Sequence, residues 1–95
     1  MYAVIFKATM KNVTQEYIQT AQSLREMAFK EYHCLDFVSV CENNHEITIS
    51  YWESKEDIKN WKQNPKHQQA QKNGIQKWYE SYSIEVVEIL KQYSK

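Results

Sequence analysis

Leu35-Asp36-Phe37-Val38-Ser39-Val40-Cys41-Glu42-Asn43-Asn44-His45-Glu46-Ile47-Thr48-Ile49-Ser50-Tyr51-Trp52 is the stretch on which the fold turns. Leu35 to Cys41 and Glu46 to Trp52 read as strands flanking Glu42 to His45. Asparagine tolerates positive φ better than most residues, so Asn43-Asn44 predicts a tight hairpin turn. The second strand alternates, with Ile47, Ile49 and Tyr51 on one face and Glu46, Thr48, Ser50 and Trp52 on the other. The first is apolar on both faces, Leu35 and Phe37 against Val38 and Val40. A strand of that kind has both sides covered. One side is expected to meet helices, and the other a second copy of the chain.

Upstream, Tyr2 to Thr9 is β-branched and apolar enough for a first strand. A helix follows, capped by Asn12 or Thr14, with Tyr17, Ala21, Leu24, Ala28 and Tyr32 on one stripe. Downstream, Ser54-Lys55-Glu56-Asp57 is a capping-box variant opening a helix that buries Ile58 and Trp61. Asn64-Pro65 restarts the helix, Asn64 as cap and Pro65 in the first turn. Tyr82 to Leu90 alternates as a last strand. The order β-α-β-β-α-β predicts an α+β, ferredoxin-like domain spanning 1–95, with an antiparallel sheet and helices on one face.

Between the last helix and the last strand lies His67 to Tyr82, HQQAQKNGIQKWYESY, which contains the sole glycine. If one helix runs through Gly74, then His67, Gln71, Gly74 and Trp78 share a face at i, i+4, i+7 and i+11. The alternative is that Gly74 ends the helix in a left-handed cap and Trp78 fills the core.

Twelve basic residues balance twelve acidic ones, so no net field draws the chain to nucleic acid or to anionic membrane. The opening apolar run, Tyr2 to Phe6, is too short for a signal core or a membrane span. A cytoplasmic protein is expected. Cys34 and Cys41 stand seven residues apart along one strand, roughly 23 Å, beyond disulfide reach. Reduced thiols fit that compartment. His33, His45 and His67 lie in different elements without metal-ligand spacing, so no metal is expected. An RNA-binding module of this topology would need a basic surface and a Gly-aromatic motif on the third strand. Glu46 to Trp52 has neither.

A small-molecule pocket between sheet and helices fits better. Trp61, His67, Gln71, Trp78, Tyr79 and Tyr82 combine aromatic walls with a few polar groups, as ligand clefts do. His67 could orient a phenol or act as a base.

Tyr51-Trp52-Glu53-Ser54, Ile58, Trp61, Asn64, His67, Ala70-Gln71, Gly74 and Trp78-Tyr79 together resemble the antibiotic biosynthesis monooxygenase domain family, in particular its small bacterial members. The resemblance implies a homodimeric α+β barrel with sheets face to face and a pocket in each subunit. It implies oxidation of a small or planar electron-rich aromatic, a quinol or polyketide-like compound, by molecular oxygen without a cofactor. By position, Trp61 would be the family's pocket tryptophan, and His67, Gln71, Trp78 and Tyr79 residues of the subfamily pattern. On this reading Trp61 and His67 are expected to be catalytic, and Gln71, Trp78, Tyr79, Tyr82 and Tyr51 to bind substrate. A non-catalytic dimer that holds a hydrophobic ligand is the rival reading. A haem-cleaving sibling branch pairs a first-strand asparagine with a tryptophan and a histidine ten residues on. Trp61 suits the tryptophan, but Gln71 and the first-strand Phe6 and Lys7 depart from that pattern.

Overall fold

The computed structural model describes residues 1–95. Strands β1 (Tyr2–Met10), β2 (Asp36–Glu42), β3 (His45–Trp52) and β4 (Tyr79–Glu88) form one antiparallel sheet in the order β2-β3-β1-β4. Helices α1 (Gln15–Glu31), α2 (Lys55–Lys62) and α3 (Pro65–Asn73) supply the crossovers. This is the predicted ferredoxin-like order. No helix is long and apolar enough to cross a membrane.

Local chemistry sets the element ends. Thr14, rather than Asn12, caps α1 by accepting the Tyr17 N–H at 3.1 Å. Ser54 accepts from Asp57 N at the start of α2, and Asn64 accepts from Lys66 N and His67 N ahead of Pro65 in α3. In each case a side-chain oxygen satisfies an N–H that the helix leaves unpaired. Asn43 and Asn44 adopt φ of 51° and 67° in the hairpin, the positive values that the two central positions of a type I′ turn require.

Gly74 does not end the helix. Its φ and ψ are −59° and −49°, and the chain passes into a π turn over Gly74–Trp78 that Tyr79 N–H closes onto Gly74 O. Tyr79 then enters β4 directly and pairs with Met10, so the last strand starts three residues before the predicted Tyr82. Glycine is needed for space rather than for φ. A Cβ at position 74 would collide with the Tyr79 ring, standing 2.7 Å from its Cζ. Gly74→Ala is therefore expected to lower stability by about 1–3 kcal/mol, as overpacking does. In a Tyr79→Ala background the same change should be neutral or stabilising, because alanine is the better helix former. Urea melts of the four proteins check the pair.

The helix-facing side of the sheet holds the core, and that core is divided. One cluster joins Ala28, Cys34, Trp52, Ile58 and Trp61; the other joins Ala8, Met10, Tyr17 and Trp78. The α1 stripe explains the gap. Tyr17 and Ala28 are buried in opposite clusters, while Ala21 and Leu24 between them line a cavity. Strand β3 turns Glu46, Thr48, Ser50 and Trp52 toward the helices. Its apolar set Ile47, Ile49 and Tyr51 is left on the uncovered face with Ile5, Val38 and Val40. Val40 is 61% exposed and Val38 46% exposed. No helix covers this apolar face.

Candidate active site

The space between the two clusters is a cavity of about 410 Å³, within the range of small-molecule sites. The sheet provides its floor: Phe6 from β1, Phe37 and Ser39 from β2, and Glu46 and Thr48 from β3. Ser39 and Thr48 hydroxyls bond each other at 2.9 Å, so this polar part of the floor is satisfied. Helix α1 forms one wall; Trp61, His67, Gln71, Trp78 and Tyr79 form the other. Arg25 stands at the rim, its Nη2 donating to Phe37 O at 2.9 Å and its guanidinium lying over the Phe37 ring.

Five of the seven residues singled out from the sequence meet here. Trp61 and His67 stack with ring centroids 4.5 Å apart and planes 24° from parallel. Burial, opposed in part by the Trp61 backbone and helped by the Lys62 charge, pushes the His67 imidazole down to about 4, so it is neutral at pH 7. Its Nδ1 is buried without a hydrogen-bond partner. Gln71, Trp78 and Tyr79 complete the wall. The π turn preserves the shared face of His67, Gln71 and Trp78, but Gly74 lies under Tyr79 instead of opening a gap.

Tyr82 flanks the cavity rather than lining it. It stacks on Phe6 at 6.3 Å, packs beside Tyr79 at 5.9 Å and borders a smaller cleft with Lys62 and Ile75. Tyr51, expected among them, does not join this group. It sits opposite Ala3 and Asp36 on the uncovered face of the sheet and does not reach the cavity. The alternation of β3 puts it on the side away from Trp52 and Ser50.

The sequence reading passed over Glu46 and Tyr17. The Tyr17 hydroxyl donates to Glu46 Oε1 at 2.5 Å, and Tyr17 is wedged edge-on against Trp78 at 5.1 Å. Burial raises the Glu46 carboxyl above its usual range, while the Tyr17 hydrogen bond holds it partly down. Burial first, and then Glu46, raise the Tyr17 phenol, and burial pushes Tyr79 up to about 12. Both phenols therefore keep their protons at pH 7. Alternation puts Glu46 on the same face of β3 as Trp52, which the structure buries, but alternation alone does not say which face looks inward.

The site thus joins a neutral imidazole, a single carboxylate and two protonated phenols inside aromatic walls. That set can hold a flat ring, offer hydrogen bonds to an oxygen substituent and accept a proton. No cluster of three or more His, Cys, Asp or Glu side chains is arranged to hold a metal ion.

The family model described as Antibiotic biosynthesis monooxygenase matches residues 1–73. The protein YqjZ of Bacillus subtilis (strain 168), itself described as uncharacterized, is 35% identical over 92 residues, covering 96% of this chain and 81% of that protein. Among solved structures, SnoaB of Streptomyces nogalater, described as a cofactor-independent oxygenase, superposes with a TM-score of 0.82 at 7% identity, covering 99% of this chain and 97% of that one. A conserved protein from Methanosarcina mazei Go1 superposes with a TM-score of 0.78 at 17% identity, covering 90% and 89%. At such identities the superpositions speak to the fold alone.

Proposed function

The chain belongs to the antibiotic biosynthesis monooxygenase family, and from that premise we propose that it oxidises a small or planar electron-rich aromatic, quinol or polyketide-like, with molecular oxygen and no cofactor. The observation that carries this reading is the cavity of about 410 Å³ between two aromatic clusters, with its few polar groups turned inward. A deprotonated phenol can itself pass an electron to oxygen. The protein's share is then to fix the ring, stabilise its anion and keep water out. Trp61 provides a flat wall and His67, stacked on it, a neutral hydrogen-bonding group for the substrate oxygen. Its low pKa favours orientation over strong basicity. Gln71, Trp78 and Tyr79 bind the rest of the ring, with Tyr82 at the edge.

Oxygen uptake with a panel of quinols and anthrones tests the reading. Turnover is expected, with at least about a tenfold loss on Trp61→Ala or His67→Ala, the equivalent of roughly 1.4 kcal/mol. Saturable binding without uptake would turn the site into a carrier of hydrophobic ligands. A haem titration with no Soret shift is expected on either reading.

The working form is proposed to be a homodimer in the cytoplasm. The uncovered sheet face supports the dimer: Val38, Val40 and Ile47 are 46%, 61% and 39% exposed on one surface, and burying them against a second copy is favourable. Sedimentation at low micromolar concentration should give about twice the 11.5 kDa chain mass. A monomer there would refute the pairing.

A further inference from the structure

We propose that Glu46 is the proton acceptor of this site, removing the acidic O–H or C–H proton of the bound aromatic while Tyr17 holds its carboxylate in place. The proposal rests on the aromatic-oxidation reading and names the base for it. Glu46 is the sole carboxylate lining the cavity. Strand alternation fixes its direction, since it lies two, four and six residues from Thr48, Ser50 and Trp52 on the inward face of β3. Only one of its oxygens is engaged: Oε1 accepts from Tyr17, no cation pairs with the group, and Oε2 is left to accept from an occupant.

Tyr17 is well placed to position that carboxylate. Its backbone N–H is tied to the Thr14 cap, and its ring is held edge-on by Trp78 and by Tyr79, 6.3 Å away at 85°. The titratable groups around Glu46 are Tyr17 from α1, Tyr79 at the start of β4 and Cys41 opposite it on β2. All are uncharged when protonated; Arg25 of α1 is the fixed cation that lines the same cavity, and its guanidinium is engaged with Phe37 O and the Phe37 ring rather than paired with Glu46. Burial makes Glu46 a better base than a solvated glutamate, whereas burial makes His67 a worse one than a solvated histidine. The two groups divide the work, with His67 orienting and Glu46 accepting.

The substrate O–H or activated C–H bond breaks and an Oε2–H bond forms. The electron pair stays on the substrate as a phenolate or enolate. The carboxylate becomes a neutral acid, so the site still carries one negative charge and nothing is oxidised or reduced.

Proton abstraction can be read without oxygen. Under strict anaerobiosis in D₂O, the wild-type protein should accelerate deuterium exchange at the acidic methylene of anthrone, followed by proton NMR. The rate should rise with pH on a single ionisation. Glu46→Gln should lower it by about 100-fold or more, in the range ascribed to general bases. Tyr17→Phe should move the midpoint of the profile to higher pH, because it removes the hydrogen bond that favours the ionised carboxylate, and should leave the high-pH rate within about tenfold of wild type. Circular dichroism checks the fold of each variant, and the wild-type pH profile stands on its own if Glu46→Gln fails to fold. Absence of exchange with the wild-type protein overturns the proposal. Exchange undiminished in a folded Glu46→Gln, or a wild-type rate independent of pH, does so equally. Glu46-dependent exchange without aerobic oxygen uptake would uphold the base and refute the oxygenase reading.

Discussion

Trp52→Ala should destabilise the protein by about 3–5 kcal/mol, the usual result of truncating a buried tryptophan, and lower Tm by roughly 15–30 °C for a chain of this size. Trp52 is the one large side chain with no exposed surface. It joins strand β3 to both crossovers by packing with Ala28 of α1 and with Ile58 and Trp61 of α2, its ring 6.3 Å from that of Trp61. With the core split around a cavity, neither cluster can draw on the other when it loses a member. The substitution also removes the indole N–H that donates to the buried Ser50 hydroxyl at 2.9 Å, leaving a polar group in the core without that partner. Trp52→Phe, which keeps most of the ring, should lose distinctly less. Urea denaturation at matched protein concentration is the measurement, since association would add a concentration-dependent contribution. A urea-derived stability for Trp52→Ala within about 1 kcal/mol of wild type would mean that this cluster does not hold the sheet to its helices.

Much of this arrangement can be read from the chain. The Asn43-Asn44 turn, the Ser54 and Asn64 caps and the period of α1 each follow from local chemistry, and together they impose the β-α-β-β-α-β order. Harder to read is which face of a strand looks inward. Alternation in β3 separates Ile47, Ile49 and Tyr51 from Glu46, Thr48, Ser50 and Trp52, but hydrophobicity would choose the wrong set as interior. The polar set faces a cavity that needs hydrogen-bonding groups, and the apolar set faces outward toward what we propose is a second copy. That inversion puts Tyr51 outside the site and Glu46 inside it. Hydrophobic period is equally blind to the π turn, because the extra residue per turn is accommodated by close contact between Gly74 and the Tyr79 ring, which only the folded chain brings about. The faces of Trp61, His67 and Gln71 are legible because two short helices with clear caps fix them, whereas Trp78 lies beyond both in the π turn.

His67 should make the protein acid-sensitive in a defined window. Burial holds the folded-state pKa at about 4 against 6.5 for the ordinary imidazole. Above pH 6.5 the side chain is neutral in both states and its contribution is complete. As pH falls from 6.5 toward 4, the unfolded chain takes up a proton that the folded protein excludes, and stability declines by about 3 kcal/mol in all. Glu46, raised in the fold, acts in the opposite direction as pH approaches the carboxylate range, so the wild-type curve alone mixes the two. His67→Phe keeps a ring against Trp61 and cannot titrate, and the difference between its stability and that of wild type isolates the histidine. Urea midpoints at pH 7 and pH 4.5 should converge for the variant by most of that amount. Titration of the His67 ring protons by NMR gives the same quantity directly and should show little change until below pH 5. A midpoint near 6.5 would mean that the ring is solvated, that its Nδ1 is not the unpartnered buried atom seen here, and that the cavity wall at Trp61 opens in solution. An occupant that hydrogen-bonds to the neutral imidazole would lower the midpoint further, because it binds the unprotonated form, so the same titration repeated with a quinol reports whether the ligand reaches His67.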